Sequence, residues 1–148
     1  MSDGANIYRN ARKTAGLTQE RWAEVLGISV DAVQQYEAGK ILPSDEVALR
    51  MAEVAGQTIV CYWHLLNKSR VAAAILPELD EKRLPEAVLG LMVQVNAFQA
   101  DGLRELARIA ADGHVDQEEL QDYNVALAQL QTLIGAALGL LYAKGEAQ

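Results

Sequence analysis

Between Thr18 and Gly39 the apolar positions recur at helical spacing in two short runs, separated by a glycine. Gln19 to Leu26 are good helix formers with Trp22, Ala23, Val25 and Leu26 on one side, and Thr18 offers a hydroxyl cap. Gly27 ends that helix, because glycine enters a left-handed turn without a Cβ penalty. Ser29 is a ready cap for a second helix from Val30 to Glu37, which Gly39 closes. Stepping about 100° per residue from Val33 puts Val30 and Tyr36 on the inward side and Asp31, Gln34 and Gln35 outward. A short helix with such a polar, uncluttered edge is one that the major groove of DNA admits.

The flanking segments are also helical. Ile7 to Ala15 forms a first helix, with Asn6 as its cap, Gly16 as its stop, and Arg9, Arg12 and Lys13 outward. Ser44 caps a fourth helix that runs to Ala55, with Asp45 and Glu46 in its dipole-favoured first turn. Thr58 to Lys68 makes a fifth.

Arg70 to Leu84 reads as a changeover, with room for a helical turn or two from Val71 to Leu76 before Pro77 and Pro85 interrupt it, and charged from Glu78 to Arg83. Pro85 then opens a long helix to about Ala111, with Val88 and Val95 on its stripe and a weak point at Asp101-Gly102. After a turn at Asp112-Gly113, Asp116 caps a second long helix, Gln117 to about Ala143. There Leu120, Tyr123, Leu127, Leu130, Ile134 and Leu141 follow the 3-4 rhythm of a coiled coil. Leu133, Leu138 and Leu140 widen the stripe beyond what one hairpin can hide, so these residues point to self-association, as a homodimer or tetramer. The expectation is an all-α chain: a five-helix head over 1–69, a linker over 70–84, and a long antiparallel two-helix hairpin over 85–148 that oligomerises.

Charge sharpens this division. The net charge of −7 is not spread evenly. Residues 1–70 carry eight basic and eight acidic side chains, whereas residues 71–148 carry five basic and twelve acidic. A neutral head can sit on a phosphate surface while an acidic tail stays away from it. One cysteine, Cys61, rules out an intrachain disulfide framework and suits a reducing cytoplasm. No apolar signal segment opens the chain, and no uninterrupted apolar run reaches the ~18 residues of a span, so no membrane partner is expected.

Candidate catalytic or metal chemistry is sparse. Cys61 and His64 are three apart on one helix, but two ligands do not make a zinc site. The turn DGHVDQEEL looks like the end of a calcium loop, yet the opening ligand places fall on Arg108 and Ala110. No nucleophile, base and orienting group occur at a motif spacing, so neither enzyme activity nor a cofactor is expected.

The stretch GLTQERWAEVLGISVDAVQQYEAGKILPS resembles the Cro/cI-repressor-like, or XRE-type, helix-turn-helix family. Gly16-Leu17-Thr18-Gln19, Ala23, Leu26 to Ser29, Val33, Tyr36-Glu37, Gly39-Lys40 and Pro43-Ser44 carry the likeness, which spans about Ile7 to Asn67. It implies a sequence-specific, double-stranded-DNA-binding regulator. Gln19 and Gln35 match positions that touch phosphate or base, and Ser29, Val30, Asp31 and Gln34 match the rest of the reading edge. Lys40 matches the loop near the backbone, and Arg12, Lys13 and Arg21 are further phosphate candidates. The chain departs from the pattern in two ways: Arg21 stands where a carboxylate is common, and the reading helix has no Lys or Arg. The alternative is a protein-interaction or antitoxin-like module whose helical tail binds a partner.

Overall fold

Side-chain caps and glycines set the helix boundaries. The computed structural model describes residues 4–144. In it α1 spans Gly4–Thr14, α2 Gln19–Leu26, α3 Val30–Glu37, α4 Asp45–Ala55 and α5 Ile59–Lys68. The hydroxyls of Thr18, Ser29 and Ser44 accept from the backbone N–H of Arg21, Ala32 and Val47, satisfying donors that each new helix would leave orphaned. Gly27 sits at φ +68°, and its N–H returns to the last turn of α2, so the chain reverses within a single residue.

Two expected starts differ. The first helix begins at Gly4, ahead of Asn6, so Asn6 lies within the helix and not at its cap. Thr58 already has helical dihedrals and makes no side-chain cap bond, because Gln57 and Thr58 supply carbonyls to the first turn of α5.

The five helices close around Trp22, Tyr8, Ile7, Leu26, Met51, Val33 and Val60, all fully buried. Each such side chain contributes roughly 1.5–3 kcal/mol by leaving water. Arg50 of α4 donates from Nη1 to the Leu26 carbonyl at 2.6 Å, tying α4 to the turn between α2 and α3.

The chain divides into two compact units between Leu76 and Pro77. The start of the segment expected as a linker is a short helix, α6, Arg70–Ile75. Ser69 caps it through Ala72 N–H, and it packs on α5 within the first unit.

In the second unit α7 spans Leu84–Ala97 and leads through a π-helical turn, Phe98–Gly102, into α8, Leu103–Ile109. The π turn falls at the Asp101-Gly102 weak point. A Cβ on Gly102 would lie 2.5 Å from Gln129 Oε1 and 2.7 Å from Phe98 Cδ2, so a larger residue there would force those side chains to shift. The next helix, α9, is Leu120–Leu141. It starts three residues later than expected, because Asp116 Oδ1 accepts from both Glu118 and Glu119 N–H and closes a separate turn. At one end of this hairpin Arg108 Nη1 meets Glu119 Oε1 at 2.9 Å. At the other, Leu84 N–H donates to the Lys144 carbonyl and Lys144 N–H to the Lys82 carbonyl. The two long helices are therefore antiparallel.

Few hairpin side chains are buried; Ala87, Ile109 and Ala126 are among them. Leu120, Ile134 and Leu141 are exposed at 48%, 45% and 76%, and Leu89, Met92 and Val93 exceed half. Leu127, Leu130, Tyr123 and Val95 are half-buried, and Val88 is exposed. By length and composition α9 could also cross a bilayer, with a mean hydropathy of 1.5 and 11% of that stretch buried. The absence of an uninterrupted apolar run had hidden this.

Candidate nucleic-acid interface

The candidate reading edge lies on α3, and a buried carboxylate holds α3 in place. Glu37, the last residue of α3, is 2% exposed. Arg12 of α1 grips both its oxygens, Nε to Oε1 at 2.5 Å and Nη2 to Oε2 at 2.9 Å. Gln19 at the start of α2 donates Nε2 to Oε2 at 3.0 Å, and Arg9 Nη2 donates to the Glu37 carbonyl oxygen at 3.2 Å. Burial pushes the Glu37 carboxyl up, but the hydrogen bonds from Arg12 and Gln19 and the Arg12 charge outweigh it, leaving the group below its usual range. One carboxylate thus fastens α1, α2 and α3 together.

This changes the roles of two residues expected at phosphate or base. Arg12 also donates from its third nitrogen, Nη1, to the Leu17 carbonyl at 2.9 Å. Its guanidinium is engaged inside the head and is a structural clamp, not a free phosphate contact. The amide nitrogen of Gln19 is likewise committed to Glu37. Glu37 entered the sequence reading only as part of the family likeness, with no role at the site.

The outward side of α3 lies where the helical spacing puts it. Asp31 and Gln34 are exposed, and Gln35 is half-exposed. Gln35 Nε2 donates to Asp31 Oδ2 one turn away at 2.5 Å, which leaves the Gln35 carbonyl oxygen and the second Asp31 oxygen as outward acceptors. Gln34 has no side-chain partner among the described residues. Ser29 uses its hydroxyl oxygen as the cap of α3. Val30 is packed partly against the core, so only part of its methyl surface faces out.

Of the cations expected around this edge, Arg21 is exposed and paired with Glu24 at 2.5 Å, an exposed contact of small energetic weight. Lys13 and Lys40 are exposed with no side-chain partner among the described residues. They are the cations free to meet a phosphate. Lys40 is held at the start of its loop by its N–H bonding to the Gln35 carbonyl at 3.0 Å.

Cys61 and His64 do not converge on a third ligand. His64 is buried, with Nδ1 2.9 Å from Tyr8 Oη and Nε2 3.0 Å from Asp45 Oδ1. That link ties α1, α4 and α5 together. Burial raises the Tyr8 phenol to about 12, against a smaller opposing hydrogen bond involving Asn67. Among the described residues no group of three or more His, Cys, Asp or Glu side chains is arranged to hold a metal ion.

Residues 9–60, from within α1 to the start of α5, match the family model described as Helix-turn-helix. Over this stretch the chain is similar to XRE-type helix-turn-helix domains, a family of DNA-binding regulators. No curated protein and no solved structure matches the chain.

Proposed function

Because residues 9–60 are similar to XRE-type helix-turn-helix domains, we propose that the chain is a sequence-specific transcriptional regulator that binds double-stranded DNA as a homodimer or higher even oligomer. The observation that carries this reading is the Arg12–Glu37–Gln19 clamp. It fixes α3 against α1 and α2 while leaving the Asp31, Gln34 and Gln35 edge turned to solvent. A rigid helix with free donors and acceptors on one edge is what base readout in the major groove requires. Gln34 can pair with adenine through its amide, and the free oxygen of Asp31 can accept from cytosine N4. Lys13 and Lys40 supply the sequence-independent phosphate contacts, and Arg21 joins them when it releases Glu24.

Self-association rests on the second unit. Exposed Leu89, Met92, Val93, Leu120, Ile134 and Leu141 form more apolar surface than monomers usually leave open. A second copy of the hairpin covers it as a four-helix bundle. A bilayer is the weaker alternative for α9. Asp122 lies on that helix, and residues 71–148 carry the whole net charge of −7, which anionic lipid would repel. The protein accordingly acts in the cytoplasm, and the two α3 helices of a dimer lie about 34 Å apart on a palindromic site.

Binding to DNA upstream of its own gene tests the reading. A protected footprint, with affinity above that for random duplex at each salt concentration, is the expected result. Equal affinity for both at every salt concentration defeats it. An interaction or antitoxin-like role through the hairpin is the reading that would then stand.

A further inference from the structure

The first unit contains a cavity of about 680 Å³ between α4, α5 and α6, within the size range of small-molecule clefts. It lies apart from the outward edge of α3. Ala48, Leu49, Leu65 and Val71 make most of its wall apolar, and Leu49, Leu65 and Val71 are exposed at 54%, 46% and 71%.

Its charges are unevenly satisfied. Asp45 is taken by Lys68 Nζ at 2.6 Å and by His64 Nε2 at 3.0 Å, so the acid and one base on the wall neutralise each other. Arg70 also lines the cavity and has no side-chain partner among the described residues. One unmatched guanidinium beside an apolar hollow is complementary to an anion with an apolar body. It offers a carboxylate two parallel donors, which a cation or a neutral hydrocarbon could not use.

We propose that this cavity binds a small amphipathic carboxylate, its anionic head on Arg70 and its hydrocarbon body against Leu49, Leu65 and Val71. The site is independent of the DNA-reading proposal and stands or falls separately.

Cys61 gives a direct readout, because it lines the same cavity, is half-buried and is the only cysteine in the chain. The full-length protein is alkylated with iodoacetamide at mildly alkaline pH, with decanoate or decyltrimethylammonium added below their micelle-forming concentrations. Decanoate is expected to slow Cys61 labelling several-fold and saturably, while decyltrimethylammonium leaves the rate unchanged. Arg70→Gln should raise the decanoate concentration needed for half-protection about tenfold, the loss of one charge-assisted hydrogen bond. Val71→Glu, a change at an exposed position that places a carboxylate at the wall, should do at least as much. Circular dichroism and the unprotected labelling rate establish that both variants fold. The inference is overturned if decanoate leaves the labelling rate unchanged. Equal protection by both amphiphiles, or an Arg70→Gln curve that overlays the parent, would overturn it too.

Discussion

Arg12 and Glu37, on helices α1 and α3, meet in a two-pronged ion pair, with Nε to Oε1 at 2.5 Å and Nη2 to Oε2 at 2.9 Å. The carboxylate side is almost wholly buried, so its partner cannot be replaced by water. This pair ties the C-terminal end of α3 to α1.

Removing Arg12 strands a buried charge. Arg12→Ala should therefore lower the stability of the first unit by about 3 kcal/mol, the cost of breaking a buried pair from one side. Urea unfolding followed by circular dichroism checks this. A loss below about 0.5 kcal/mol, typical of a surface cation, would mean that Arg12 is not a clamp.

The same carboxylate makes the head acid-sensitive. Glu37 is held below the usual carboxylate range in the folded state. Its contribution is fully present above the unfolded value and is lost as pH falls through the folded one, since the unfolded chain then binds the proton more readily. Glu37→Gln should be less stable at neutral pH but show a shallower decline on acidification. Urea midpoints collected from pH 7 downward would expose an error if the two acid limbs ran parallel.

Base and phosphate contacts should separate by their salt response. Lys40→Ala or Lys13→Ala should weaken binding alike on every duplex and reduce the salt slope by about one. Gln34→Ala should cost about 1–3 kcal/mol on the preferred site and little on random DNA. Fluorescence anisotropy on matched and scrambled duplexes distinguishes the two patterns, and uniform weakening by Gln34→Ala would remove it from the reading edge.

Ile134 and Leu141 are exposed enough to change without emptying the hairpin's own packing. The pair Ile134→Asp and Leu141→Asp should move the protein to monomer in sedimentation velocity, with its helical circular dichroism retained. An unaltered sedimentation coefficient would place the contact between copies elsewhere.

Much of this arrangement was legible before any coordinates. Thr18, Ser29 and Ser44 cap helices where their position before an apolar run says they should, and Gly27 reverses the chain where the pattern breaks. The helical rotation that set Asp31 and Gln34 outward also carries Glu37 round to the side of Val33, so a buried acid was implied. Its partners were not, because Arg12 and Gln19 are 25 and 18 residues away and only tertiary packing brings them there. Arg12 looked like an outward cation because an amphipathic pattern does not reveal which charge is paired. In the second unit, Asp116 signalled a helix start but closed a separate turn, and at the end of the first the alanines of α6 carry too little periodic contrast to mark more than a turn or two.

Selection of duplexes from a random-sequence pool by the full-length protein tests the central claim most directly. The account predicts enrichment of a palindrome whose half-sites lie about one helical turn apart, bound roughly 10³-fold or more tighter than scrambled duplex at physiological salt. Gln34→Ala should relax the preference at one position in each half-site. A pool that emerges without sequence bias, bound as well as scrambled DNA at every ionic strength, would contradict it.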